Sequence, residues 1–123
     1  MEQNISETTI RFLRRLEVYD FADARAMCTD KAAVWQNDGQ GEQAIDERLR
    51  QFGSFAATVD SLRFDVVRQF RDADEVLLQY LLHLVTADGS RSEVHAVVHF
   101  RFEGGLIDRI EENIYTVPEE KDA

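Results

Sequence analysis

The segment Val94-His-Ala-Val-Val-His-Phe-Arg-Phe-Glu-Gly-Gly-Leu-Ile-Asp-Arg-Ile110 limits the possible folds more than any other stretch of the chain. It reads as a long strand, a three-residue turn over Glu103-Gly-Gly105 and a returning strand. Glycine takes the positive φ that such a turn requires. Upstream lie helical patterns, and from Val59 onward the pattern is that of strands. Helices first and hairpin-linked strands afterwards predict an α+β domain, with a helical layer on one mainly antiparallel sheet.

Local signals place the elements. Asn4 followed by Glu7 resembles a capping box, so a helix is expected to begin near Ile5. Ile5, Phe12, Leu13, Leu16 and Tyr19 then recur at helical spacing. Asp20 is a cap for a short second helix reaching about Cys28. Residues 32–36 read as a short strand that ends in the turn-prone Asn37-Asp38-Gly39. A third helix is expected from about Glu42, with Ile45, Leu49, Phe52 and Phe55 on one face. Gly53 would weaken it late. Strands are expected at 60–71, 75–87, 91–103 and 106–116. Residues 1–117 then form one domain, and 118–123, beginning at Pro118, form a disordered acidic tail.

Hairpin counting predicts the sheet faces. A two-residue Asp88-Gly89 turn would pair His83 with Val94 and Gln79 with Val98. The three-residue turn after Phe102 would pair Val98 with Ile110 and Ala96 with Glu112. One face would then carry Gln79, His83, Val94, Ala96, Val98, Ile110, Glu112 and Ile114 under the helices. Leu78, Tyr80, Leu82 and Leu84 would join His95, Val97 and His99 on the other face, a surface apolar enough for a homodimer. A one-residue slip would exchange such sets.

Bulk properties exclude several function classes. The net charge of −10 repels nucleic acid and anionic membranes. Cys28 is the sole cysteine, which rules out an intrachain disulfide and a thiolate metal cluster. The N-terminal residues lack the features of a secretion signal, and no apolar run is long enough to span a bilayer, so the expected location is the cytoplasm.

Three local patterns carry a resemblance: Tyr19-Asp-Phe-Ala-Asp-Ala24 between two helices, Asp30-Lys-Ala-Ala-Val-Trp35 entering a strand, and His99-Phe-Arg-Phe-Glu-Gly-Gly-Leu-Ile107. With the element order, they make residues from about Thr8 to Tyr115 resemble the SnoaL-like branch of the NTF2-like superfamily, the fold of ketosteroid isomerase. The resemblance implies a cone formed by three N-terminal helices on a curved sheet, with a ligand pocket inside. It also implies frequent dimerisation, and functions from isomerases and polyketide cyclases to plain binding modules. The isomerase uses an aspartate base, with a tyrosine and a protonated aspartate as the oxyanion hole. Those positions fall on Gln36, Phe12 and Val98, none of which can play the corresponding part. The Asp-Arg-Asp set of epoxide hydrolases in the superfamily has no full match at Asp108-Arg109.

Two residues are candidates for chemistry. Glu112, among apolar neighbours, suits a general acid or base, and His83 would be its partner across the central strand. Against this, Glu112 could lie at a wet strand end and His83 could simply be satisfied by nearby backbone. Gln36 and Gln79 are candidates to orient a ligand's carbonyl or hydroxyl group. Phe12, Trp35, Phe55, Val98 and Ile110 are candidate walls. His95 and His99 lack a third metal ligand, and Asp38 is a fallback base that is chiefly a turn residue. The expected function is binding of a small apolar organic molecule, with cofactor-independent isomerase, dehydratase or hydrolase chemistry. The alternatives are a non-catalytic binding module and a purely structural dimerisation domain. No cofactor or metal is expected.

Overall fold

The computed structural model describes residues 4–117. The tail proposed at 118–123 lies outside them. The elements are α1 (Ile5–Glu17), α2 (Phe21–Ala26), β1 (Cys28–Gln36), β2 (Glu42–Ala44), α3 (Ile45–Ala56), β3 (Val59–Asp72), β4 (Glu75–Thr86), β5 (Arg91–Glu103) and β6 (Leu106–Val117). The strands form one curved, unclosed sheet in the order β2-β1-β6-β5-β4-β3. All neighbours are antiparallel except β1 and β6, which run parallel. The domain is therefore α+β, as the element order predicted.

Capping chemistry sets the helices. The Asn4 side chain accepts from the Glu7 amide at 3.1 Å, and Asp20 does the same for the Asp23 amide. Between them Tyr19 takes φ 62°, which turns the chain sharply from α1 into α2. α1 buries Ile5, Phe12, Leu13 and Leu16, and α3 buries Ile45, Leu49, Phe52 and Ala56. Despite Gly53, α3 continues to Ala56. A Cβ at Gly53 would stand 3.4 Å from the Phe21 ring, an ordinary van der Waals contact, so α2 lies against α3 at this point of the helix.

Two boundaries moved. Cys28 opens β1 instead of closing a helix. Burial pushes its thiol up to about 12, so it packs as a small hydrophobe. Glu42 starts a three-residue edge strand, and α3 begins only at Ile45.

The register decides which side chains face inward. At the β4–β5 turn Val85 pairs with Arg91 and Leu82 with Val94, one residue off the count for a two-residue loop. The loop is longer because Thr86 and Ser90 close it: the Ser90 carbonyl accepts from the Thr86 amide at 2.9 Å. The Asp88 carboxylate accepts from the Ser90 amide and the Thr86 hydroxyl. That single-residue shift exchanges the faces of β4. Leu78, Tyr80, Leu82 and Leu84 are buried inside, while Gln79 and His83 turn outward.

The β5–β6 hairpin shifts by two residues and so keeps its parity. Gly104-Gly105 form a two-residue turn with φ 59° and 84°, and the register steps again between Arg101 and Phe102. Val98 faces Glu112, Phe100 faces Ile110 and Ala96 faces Ile114. Further register steps in β1 and β3 add to the curvature.

β3 is a 14-residue edge strand. Halfway along it, the Phe64 amide donates to Glu17 Oε2 at 2.7 Å, and Arg14 Nη1 donates to the Phe64 carbonyl at 2.8 Å. Side chains of α1 thus occupy the positions a further strand would use.

Candidate functional site

The inner face of the sheet, α1 and α3 enclose a cavity of about 410 Å³. Its walls are mostly apolar: Phe12, Leu13 and Leu16 from α1; Leu49, Phe52 and Phe55 from α3; Leu82, Val98, Phe100, Ile110 and Ile114 from the sheet. Phe55 is 40% exposed, whereas Phe100 and Val98 are fully buried. Phe12 meets Phe100 edge-on at 6.3 Å, and Phe64 meets Tyr80 edge-on at 5.0 Å.

Glu112 enters this space from β6, between Val98 on β5 and Gln36 on β1. The residue that follows β1 fixes that placement. The Asn37 amide donates to the Glu112 carbonyl, and the Asn37 side chain both donates to and accepts from Ile114 backbone at 3.1 Å. Glu112 is not alone among apolar groups. Arg48 Nη2 of α3 lies 3.2 Å from Glu112 Oε2, and the two side chains are 19% and 14% exposed. The guanidinium also sits 5.9 Å from the Phe52 ring centroid. Its Nε is buried with no hydrogen-bond partner among the described residues.

Tyr80 lines the same cavity. Burial pushes its phenol well above the usual range, the Glu112 charge adds to this, and Arg48 opposes it. The hydroxyl therefore stays protonated, a neutral donor near the ionic pair.

Of the residues predicted from sequence, Glu112, Phe12, Gln36, Phe55, Val98 and Ile110 line the cavity. His83, Gln79 and Trp35 do not, and their predicted placement is corrected. His83 faces outward with Nε2 3.7 Å from Asp65 Oδ2, between Arg63 and Glu93 on the adjoining strands. Gln79 pairs with Arg68 and Val97 on that outer face. Trp35 turns outward because Val34 and Gln36, its neighbours in β1, point in.

His95 and His99 are also outward, 3.6 Å from Glu93 and 3.1 Å from Glu75. Among the described residues no group of three or more His, Cys, Asp or Glu is arranged to hold a metal ion. Asp38 accepts from the Gln40 amide and acts as a turn residue. Asp108 is 8% exposed and distant in role from the cavity. Its bond from the Thr29 hydroxyl at 2.8 Å holds its carboxyl below the usual range, with Lys31 and Arg101 reinforcing that.

Arg48 and Tyr80 are the site residues that sequence reasoning missed. Arg48 lies three residues after Ile45 and four before Phe52, so helical spacing already put it on the buried face. Tyr80 was lost with the turn count at Asp88-Gly89.

The family model described as a SnoaL-like domain matches residues 9–110. No curated protein matches the sequence significantly. Among solved structures, AusH from Aspergillus nidulans is 11% identical with a TM-score of 0.83, and the match covers 98% of this chain and 89% of AusH. AclR, a putative hydroxylase from Streptomyces galilaeus, is 13% identical with a TM-score of 0.81, covering 90% and 74%. IdmH, a putative polyketide cyclase from Streptomyces antibioticus, is 14% identical with a TM-score of 0.77, covering 92% and 91%. At such identities the likeness is one of fold, the helix-backed cone expected from the sequence.

Proposed function

The chain belongs to the SnoaL-like domain family, and from that premise we propose that it binds a small, largely apolar organic molecule inside the cone and moves a proton on it with Glu112. The observation that carries this reading is one carboxylate, paired with Arg48, in a mostly apolar cavity of ligand size. The acid-base role formerly divided between Glu112 and His83 rests on Glu112 alone, with Arg48 and the Tyr80 hydroxyl as donors toward a developing oxygen charge. Isomerisation, dehydration and hydrolysis without a cofactor all fit such a set. One structural neighbour, IdmH, is a putative polyketide cyclase and another, TerC, was co-crystallised with polyporic acid, which supports an organic ligand in the cone.

One observation favours the non-catalytic alternative. Glu112 is already engaged by Arg48, and the positions aligned with the isomerase's acid and base carry Phe12, Gln36 and Val98. Proton exchange decides between the two. The wild type should speed deuterium uptake at the carbon beside the carbonyl of bicyclic ketones in D2O, and Glu112→Gln should lower that rate at least about a hundredfold. Binding of the same ketones with no exchange by either protein leaves the binding module.

The outer sheet face, where Leu77 and Val97 are 42% and 43% exposed, supports a homodimer through that surface. Sedimentation velocity that finds only monomer at micromolar concentration excludes it.

No helix among the described residues is long and apolar enough to cross a membrane.

A further inference from the structure

The polar groups in the cavity do not balance. Arg48 Nε is buried without an acceptor among the described residues, although Nη2 of the same guanidinium reaches Glu112 Oε2. Glu112 Oε1 makes no hydrogen bond to a described residue, which leaves acceptor capacity on the other half of the pair. A donor and an acceptor carried by two side chains in contact suit a single group that can both accept and donate. A buried donor without a partner is costly, and structures normally satisfy it with protein, water or ligand.

The charge of the pair narrows the choice. Arg48 and Glu112 neutralise each other, so an anionic ligand would bring a second negative charge beside the Glu112 carboxylate. A carbonyl or ether oxygen would satisfy Arg48 and leave Glu112 unused. A hydroxyl answers both, accepting from Nε while its O–H donates to Oε1. Phe12, Phe52 and Phe100 in the walls favour an aromatic body for the molecule that carries it.

We infer that the Arg48–Glu112 pair is a specificity site for a neutral hydroxyl group on an aromatic ligand, of the phenol or naphthol kind. This rests on the cavity being a ligand site. The pair lies between α3 and β6, apart from the positions Phe12 and Val98 that align with the isomerase's oxyanion hole.

Three probes of one skeleton test it on the full-length chain: naphthalene, 2-methoxynaphthalene and 2-naphthol, each titrated by displacement of a neutral hydrophobic dye. The methoxy compound can accept a hydrogen bond but cannot donate one. The wild type should bind 2-naphthol about tenfold or more tightly than 2-methoxynaphthalene, the equivalent of one to two net buried hydrogen bonds. The double variant R48M/E112Q removes both charges without stranding either and should bring the three probes within about threefold of one another. Glu112→Gln, which preserves size, is the second variant and should give an intermediate ratio. The ratio of wild type to double variant cancels the size of the added methyl group.

Equal wild-type affinity for 2-naphthol and 2-methoxynaphthalene overturns the hydroxyl inference and leaves the cavity reading intact, as does an unchanged preference in a folded double variant. Failure of the wild type to bind even naphthalene sinks the ligand-cavity reading itself.

Discussion

The two faces of the sheet use charge in opposite ways. The cavity between the inner face and its helices holds one ion pair among the described residues, Arg48 with Glu112, set in aromatic and aliphatic walls. The outer face carries the three histidines, each near a carboxylate, and arginine pairs such as Arg109 with Glu42 and Glu111. Solvated pairs of that kind contribute about 0–1 kcal/mol each and are screened by salt. A pair held away from water retains more of its interaction, and it is costly to break one-sidedly. Where charge is sparse, it is therefore more informative about function than where it is abundant.

Substitutions on one strand give the largest contrast. Phe100 and Val97 lie on opposite faces of β5, 2% and 43% exposed. Phe100→Ala should cost about 3–5 kcal/mol of unfolding free energy, read from urea denaturation. Val97→Asp should cost less than about 1 kcal/mol, and under the proposed pairing through the outer face it should shift the sedimentation profile toward monomer. A large stability loss at Val97 with no change in assembly would undo the assignment of the faces.

The ion pair gives the next effect. Arg48→Met leaves Glu112 without its cation in a mostly apolar space and should cost about 1–3 kcal/mol by the same measurement. Adding Glu112→Gln should restore much of that loss. A single variant as stable as the wild type would place this pair with the solvated ones.

The smallest effect is a pH dependence at Asp108. Its carboxyl is held low in the folded protein, by Thr29 first, so it contributes stability above the unfolded value of about 4. That contribution is lost as pH falls through the folded value. Asp108→Asn should lower the urea midpoint at pH 6, and the gap from wild type should close as the pH drops below about 4. A gap independent of pH would assign the bond to shape and not to charge.

The elements themselves were legible in the sequence because strands and helices are local. The predicted strands at 91–103 and 106–116 differ from β5 and β6 by at most one residue, since Gly104-Gly105 and the apolar alternation mark them chemically. Which face each residue takes depends on loop closure, and here the two hairpins parted. At Gly104-Gly105 the error was two residues, and Glu112 stayed inward. At Asp88-Gly89 it was one, and His83 changed places with its neighbours. The closing contacts there involve Thr86 and Ser90, residues with weak turn signatures, so a count based on Asp-Gly alone fell short. Arg48 was legible by spacing, but a cation on an apolar helix face reads as surface until its partner on a distant strand is known.

The contact between α1 and the middle of β3 has a consequence for how the protein meets others of its kind. A long edge strand invites another chain to continue the sheet, the route to runaway polymers. Glu17 and Arg14 fill that vacancy at Phe64 with the chain's own side chains, and the opposite edge is only the three residues of β2. Growth of the sheet is thereby hindered at the middle of one border and offered only three residues to pair with at the other.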